Sequence, residues 1–133
     1  IQFGAQLLIG RATPGHTEGC MTWIWKGQNK VFTGDALMIR GCGRTDFQGG
    51  SSTDLFCSVR EVIFSMDAEM ELYPGHDYKG RTVTTVAEER AHNPRLGMAR
   101  SEAEFVEIME NLGLSYPKRI DVALPANMKA GDV

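Results

Sequence analysis

Residues 21–50 read MTWIWKGQNKVFTGDALMIRGCGRTDFQGG, and the way this stretch changes character along its length decides the fold. Residues 21–25 (MTWIW) are rich in β-forming side chains. Lys26-Gly27-Gln28-Asn29 supplies a turn, and Lys30-Val31-Phe32-Thr33 follows as a second strand, the pattern of a hairpin. The hairpin runs straight into Gly34-Asp35. Residues 40–52 (RGCGRTDFQGGSS) then carry four glycines, Gly41, Gly43, Gly49 and Gly50, too many for the interior of an element. A connection this long and glycine-rich reads as a functional loop.

Upstream, residues 3–9 (FGAQLLI) are short and apolar and end at Gly10, which predicts one strand. Downstream, Ser52-Thr53-Asp54 reads as the cap of a helix, with Leu55, Val59, Val62 and Ile63 at helical spacing. Residues 69–73 (EMELY) alternate and lead as a strand into Pro74-Gly75-His76. Thr82 to Arg90 predicts a helix, broken at Asn93-Pro94. Ser101-Glu102-Ala103-Glu104 has the form of a capping box, with Phe105, Ile108, Met109 and Leu112 on one face and Gly113 as the stop. Residues 117–133 have weak periodicity and are expected to pack irregularly. The order is strands, long loop, helix, strand, helix, helix. This is an α/β chain whose polar motifs sit just past strand ends, where layered α/β folds place ligand sites.

At 133 residues the chain has the length of one domain. Its net charge of -3, without any long Lys/Arg run, argues against nucleic acid and anionic membrane as partners. No stretch approaches the roughly 18 apolar residues of a membrane span. Cys20, Cys42 and Cys57 form no CxxC pair and give an odd count, which argues against a disulfide framework and for a reducing compartment. The cytoplasm is the first expectation and the mitochondrial matrix the alternative. The chain opens on Ile1 and enters a strand at once, so its start reads as a truncation or a cleavage.

Chemistry is concentrated in three glycine-containing turns: Thr13-Pro14-Gly15-His16-Thr17, Thr33-Gly34-Asp35, and Tyr73-Pro74-Gly75-His76-Asp77-Tyr78. Proline fixes φ, glycine permits a positive φ, and a sharp turn aims the next side chain. Imidazole nitrogen and carboxylate oxygen suit Fe(II), Zn or Mn alike. Taken singly, a His in a turn is more often solvated than ligating, and His92 keeps the reading of a surface or helix-end residue.

Taken together and in this order, TPGHT, TGDAL and PGHDY resemble the third, fourth and fifth metal-site motifs of the metallo-β-lactamase superfamily. GDALMIRGCGRTDFQGG, PGHDYKGRTVTTVAEERAHNPRL and the end, YPKRIDVALPANMKAG, are similar to its persulfide dioxygenase branch. The resemblance covers nearly the whole chain and implies an αβ/βα sandwich of which residues 1–133 are the C-terminal portion. It implies one Fe(II) per site, and oxidation of glutathione persulfide by O₂ to sulfite and glutathione. His16 matches a His ligand and Asp35 the Asp ligand. His76 matches the motif that supplies a second metal in related thioester hydrolases, and in this branch lies near iron without ligating it, as a catalytic group together with Tyr78. Arg44 and Tyr78 match contacts to glutathione; for Arg44 the readings of a solvated loop cation and of a structural pair with Asp46 stay open. The superfamily's H-x-H-x-D-H motif is absent, so the resemblance leaves the first His ligand to a missing N-terminal segment, a second chain, or a homodimer contact. The alternatives are a glyoxalase II-like zinc thioester hydrolase and an inactive, metal-free fragment or binding module.

Overall fold

In the computed structural model the hairpin at residues 21–34 forms the middle of a sheet, and Asp35 follows directly from its end. The structure describes residues 1–47 and 49–129. Gln48 of the glycine-rich loop, and Ala130 and Gly131 of the terminal stretch, lie outside the described residues. The strands are β1 (Gln2–Phe3), β2 (Gln6–Leu7), β3 (Ile9–Ala12), β4 (Met21–Trp25), β5 (Lys30–Gly34), β6 (Glu71–Pro74) and β7 (Thr84–Thr85). The helices are α1 (Ser52–Ser58), α2 (Val86–His92), α3 (Glu102–Glu110) and α4 (Ile120–Met128). Helix α1 runs on into a wider π-helical turn, Val59–Ile63.

A five-stranded sheet has the order β3-β4-β5-β6-β7. Only β5 and β6 pair in parallel; the other neighbours are antiparallel. Parallel neighbours need a long crossover, and residues 35–70 provide it with the glycine-rich loop and α1. Alternation along the strands sorts the faces. Ile24, Val31 and Leu72 point into a core shared with Leu55, Val59, Ile63, Val86, Leu96, Phe105 and Met109. Met21, Trp23, Trp25, Phe32 and Tyr73 lie on the opposite face, and none of them is buried.

Four elements differ from their sequence reading. The expected strand at 3–9 is a small hairpin: Gly4 takes φ +56, the chain reverses, and Gln2 pairs with Leu7. The expected helix from Thr82 starts later, because Thr84 and Thr85 pair with Leu72 and Glu71 as β7. Thr85 then caps α2, its side chain accepting from the Glu88 N–H. Ser51, not the Ser52–Asp54 run, caps α1. The terminal segment holds a regular helix, α4; none of its residues is buried, so there was no apolar stripe for periodicity to reveal. The capping box is present at Ser101 and Glu104, and α3 stops at its Asn111 cap, ahead of Gly113.

Candidate metal centre

Asp35 leaves the end of β5 through Gly34, whose φ of +55 glycine adopts freely. The Gly75 N–H donates to the Gly34 carbonyl at 2.8 Å, which stitches the ends of the two parallel strands together. A Cβ on Gly75 would stand 2.9 Å from Asp35 Oδ1, so glycine here leaves room for the carboxylate. His16 is seated from the other side. Gly15, at φ +132, packs so closely on α1 that a Cβ would meet the Leu55 backbone at 2.3 Å. The Ser51 N–H and the Ser58 hydroxyl donate to the carbonyls of Gly15 and Pro14, both at 2.8 Å.

The three turns therefore converge. His16 Nε2 lies 3.5 Å from Asp35 Oδ2, and His76 Nδ1 lies 2.7 Å from Asp35 Oδ1. His16 Nδ1 is 2.6 Å from the Arg44 carbonyl. A carbonyl only accepts, so Nδ1 carries a proton and Nε2 is the nitrogen turned toward Asp35; in the neutral ring that nitrogen has the lone pair with which an imidazole ligates. One imidazole nitrogen and one carboxylate oxygen on a common point fit part of a two-His, one-carboxylate iron set. Among the described residues, no group of three or more His, Cys, Asp or Glu side chains is arranged to hold a metal ion by itself. His92 ends α2, exposed.

Beside the centre opens a cavity of about 470 Å³ whose lining includes His16, Asp35, Arg44, Tyr78, Lys79 and Arg95. Arg44 takes the structural pairing with Asp46 that was one of its readings. It pairs with Asp46 through Nε and Nη2 at 2.6 and 2.7 Å, which holds that carboxyl below its ordinary range, and donates from Nη1 to the Ser115 carbonyl at 3.1 Å. It also lines the cavity. Tyr78 is exposed, with its ring stacked on His76 at 6.1 Å. Asp77, between them, accepts from the Arg81 guanidinium and from the backbone N–H groups of Arg81 and Lys79, which together bring its pKa down to about 2.

Two kinds of residue escaped the sequence reading. Gly43 was read only as loop; a Cβ there would stand 2.6 Å from the Asp35 carbonyl and 2.8 Å from the His16 ring. Glu89, fully buried, was given no role from the sequence. Its signal was available: Val86, Glu89, Asn93 and Leu96 recur at helical spacing, and all four are buried.

The family model of the metallo-beta-lactamase superfamily matches residues 2–76. The mitochondrial persulfide dioxygenase ETHE1 of Mus musculus is 53% identical over 131 residues, covering 98% of this chain and 51% of that protein. The Homo sapiens protein of the same name is 54% identical over 131 residues, with the same shares covered. The crystal structure of ETHE1 from Myxococcus xanthus superposes with a TM-score of 0.92 at 50% identity, covering 98% of this chain and 57% of that one. The chain thus spans about half the length of the curated relatives it matches.

Proposed function

The chain belongs to the metallo-beta-lactamase superfamily, and from that premise we propose that the full protein is an Fe(II)-dependent persulfide dioxygenase. Glutathione persulfide, O₂ and water give glutathione, sulfite and two protons. The observation that carries this reading is the convergence of His16 Nε2 and Asp35 Oδ2, with His16 locked through Nδ1 to the Arg44 carbonyl. The identity of about half to persulfide dioxygenases over almost the whole chain supports the same branch.

In this reading His16 and Asp35 hold the iron, one per site, together with a His from an upstream segment or a second chain, a homodimer included. When bound, the iron supplies a centre at which O₂ and the persulfide sulfur meet, because three protein ligands leave positions open. His76 donates from Nδ1 to Asp35 Oδ1, which orients the carboxylate and leaves Oδ2 toward His16. Arg44 and Tyr78 bind the tripeptide part of the substrate in the cavity, where fixed cations suit its carboxylates. Residues 1–133 are, on this view, the C-terminal portion of one sandwich domain. The naming of the relatives as mitochondrial favours the matrix over the cytoplasm for this chain.

A second reading, a binuclear zinc thioester hydrolase of the glyoxalase II type, draws on His76 standing against the same carboxylate as His16. One experiment separates the two. In the full protein, replace His16, Asp35 or His76 by Ala and measure metal content and oxygen uptake with glutathione persulfide. The dioxygenase reading expects one iron per protein, lost with His16 or Asp35, and expects His76→Ala to keep most of the iron while losing rate. Two metals per protein, one of them lost with His76, would establish the hydrolase. Unchanged iron in both the His16 and the Asp35 variant would remove these residues from the metal shell.

A further inference from the structure

The loop that holds His16 is itself held from below by a buried acid. Glu89 is fully enclosed, yet its carboxylate is completely partnered. It accepts from the Arg40 backbone N–H at 2.9 Å, the Arg40 guanidinium, the Thr84 hydroxyl at 2.9 Å and the Asn93 amide at 2.9 Å. Arg40 stands at φ +61, a left-handed conformation that costs a non-glycine residue energy and persists only when its surroundings enforce it. Glu89 grips this residue by main chain and side chain at once.

From Arg40 the fixation runs along consecutive residues. The Gly41 carbonyl accepts from Asn93 Nδ2 at 3.1 Å, and that amide also donates to Glu89. The Cys42 carbonyl accepts from the Arg95 guanidinium at 3.3 Å, and the Arg95 N–H donates to Asn93 Oδ1 at 3.0 Å. The Gly43 N–H donates to the Asp35 carbonyl at 2.7 Å. The Arg44 carbonyl then accepts from His16 Nδ1. Each of residues 40–44 is thus held through its main chain: Gly41 also exchanges both backbone bonds with Met38, while the Arg40 N–H goes to the Glu89 carboxylate directly and the Gly41 carbonyl reaches it through the Asn93 amide.

We infer that Glu89, acting through the left-handed Arg40 turn, is a positioning residue that sets the tautomer and aim of His16 from the far side of the loop. Glu89 touches neither His16 nor Asp35 and lies outside the cavity lining. Its carboxylate is needed because an amide in its place turns an N–H toward the donors of Arg40, and the turn then relaxes from its left-handed conformation. The Arg44 carbonyl moves with it, and Nδ1 loses its fixed acceptor. The metal-affinity part of this inference rests on His16 being a metal donor, as proposed above; the part about the imidazole does not.

The design of the test follows from the strain at Arg40. Glycine adopts φ +61 without cost, so Arg40→Gly removes the need for the grip and also removes the guanidinium that an amide would face. In the full protein, compare wild type, Glu89→Gln, Glu89→Gln with Arg40→Gly, and His16→Ala. Measure Fe(II) affinity by chelator competition, and measure the His16 ring nitrogens by NMR in metal-free protein. Thermal melting separates global damage. Glu89→Gln should weaken iron binding about tenfold, the lower end for loss of a group supporting a ligand, and should mix the His16 tautomers. The double variant should regain most of the affinity and the single Nδ1–H tautomer, even if its melting temperature stays low. A Glu89→Gln protein with unchanged ring signals overturns the inference. So does a loss that the double variant fails to recover, since that marks Glu89 as general core structure. If His16→Ala keeps its iron, the metal reading of His16 fails, and the ring signals still decide the role of Glu89.

Discussion

Arg44 has two demands on one side chain. Asp46 takes two of its N–H groups and Ser115 a third, while its carbonyl serves His16 through the main chain. Substitution at this position removes the guanidinium and leaves the carbonyl. Arg44→Ala in the full protein should therefore mainly raise KM for glutathione persulfide, by roughly tenfold for one lost charge-assisted hydrogen bond of about 1.5 kcal/mol. Steady-state oxygen uptake measures it; a normal KM with a reduced kcat would assign the side chain to holding the loop through Asp46. The sequence made His16, Asp35 and His76 legible because each follows a glycine or proline–glycine turn, and such turns leave few directions for the next side chain. Glu89 was harder to read: its neighbour Glu88 is exposed, and two adjacent acids on a helix look like one solvated face until their different phases on the helix are separated.

At the scale of elements, the turn after β6 is organised by Asp77. Its carboxylate collects the Lys79 and Arg81 N–H groups and the Arg81 guanidinium, and Arg81 in turn donates to the Ile39 carbonyl at 2.8 Å, tying this turn to the loop before Arg40. The bonds require the ionised form, so the pKa falls from its ordinary 3.8 to about 2. A depressed carboxyl pKa means stability that is present above 3.8 and lost as pH falls toward 2. The melting temperature of Asp77→Asn should lie below that of wild type at neutral pH, and the gap should close over this acid interval. A gap independent of pH would mean that Asp77 acts through shape alone. The hairpin of β4 and β5, strand β6 and the capping box of α3 were legible because their signals are local. The reversal at Gly4 and the claim of β7 on Thr84 and Thr85 were not, because pairing with a distant strand decides them.

For the molecule as a whole, the sheet has one covered face and one bare one. Met21 is 38% and Phe32 37% exposed on the bare side, beside the half-buried Trp23, Trp25 and Tyr73, with the β1–β2 hairpin covering it where Phe3 and Gln6 meet Trp25. An apolar sheet face with strands β3 and β7 open at its edges favours pairing with another polypeptide. Residues 1–133 expressed alone should therefore self-associate, bind iron weakly and take up no oxygen with glutathione persulfide. Light scattering, metal analysis and an oxygen electrode test this, and an active, iron-loaded monomer would show that the third donor lies within these residues. The parallel pairing of β5 with β6 also sets an order in time. Asp35 and His76 are 41 residues apart, joined by a crossover that folds out and back before the strands can meet. On the ribosome, more than half of these residues are made before the carboxylate finds its imidazole. The carboxylate can meet its imidazole only after β6 has been made and has docked beside β5, so the pair belongs to the assembled sheet and not to any local segment of the chain.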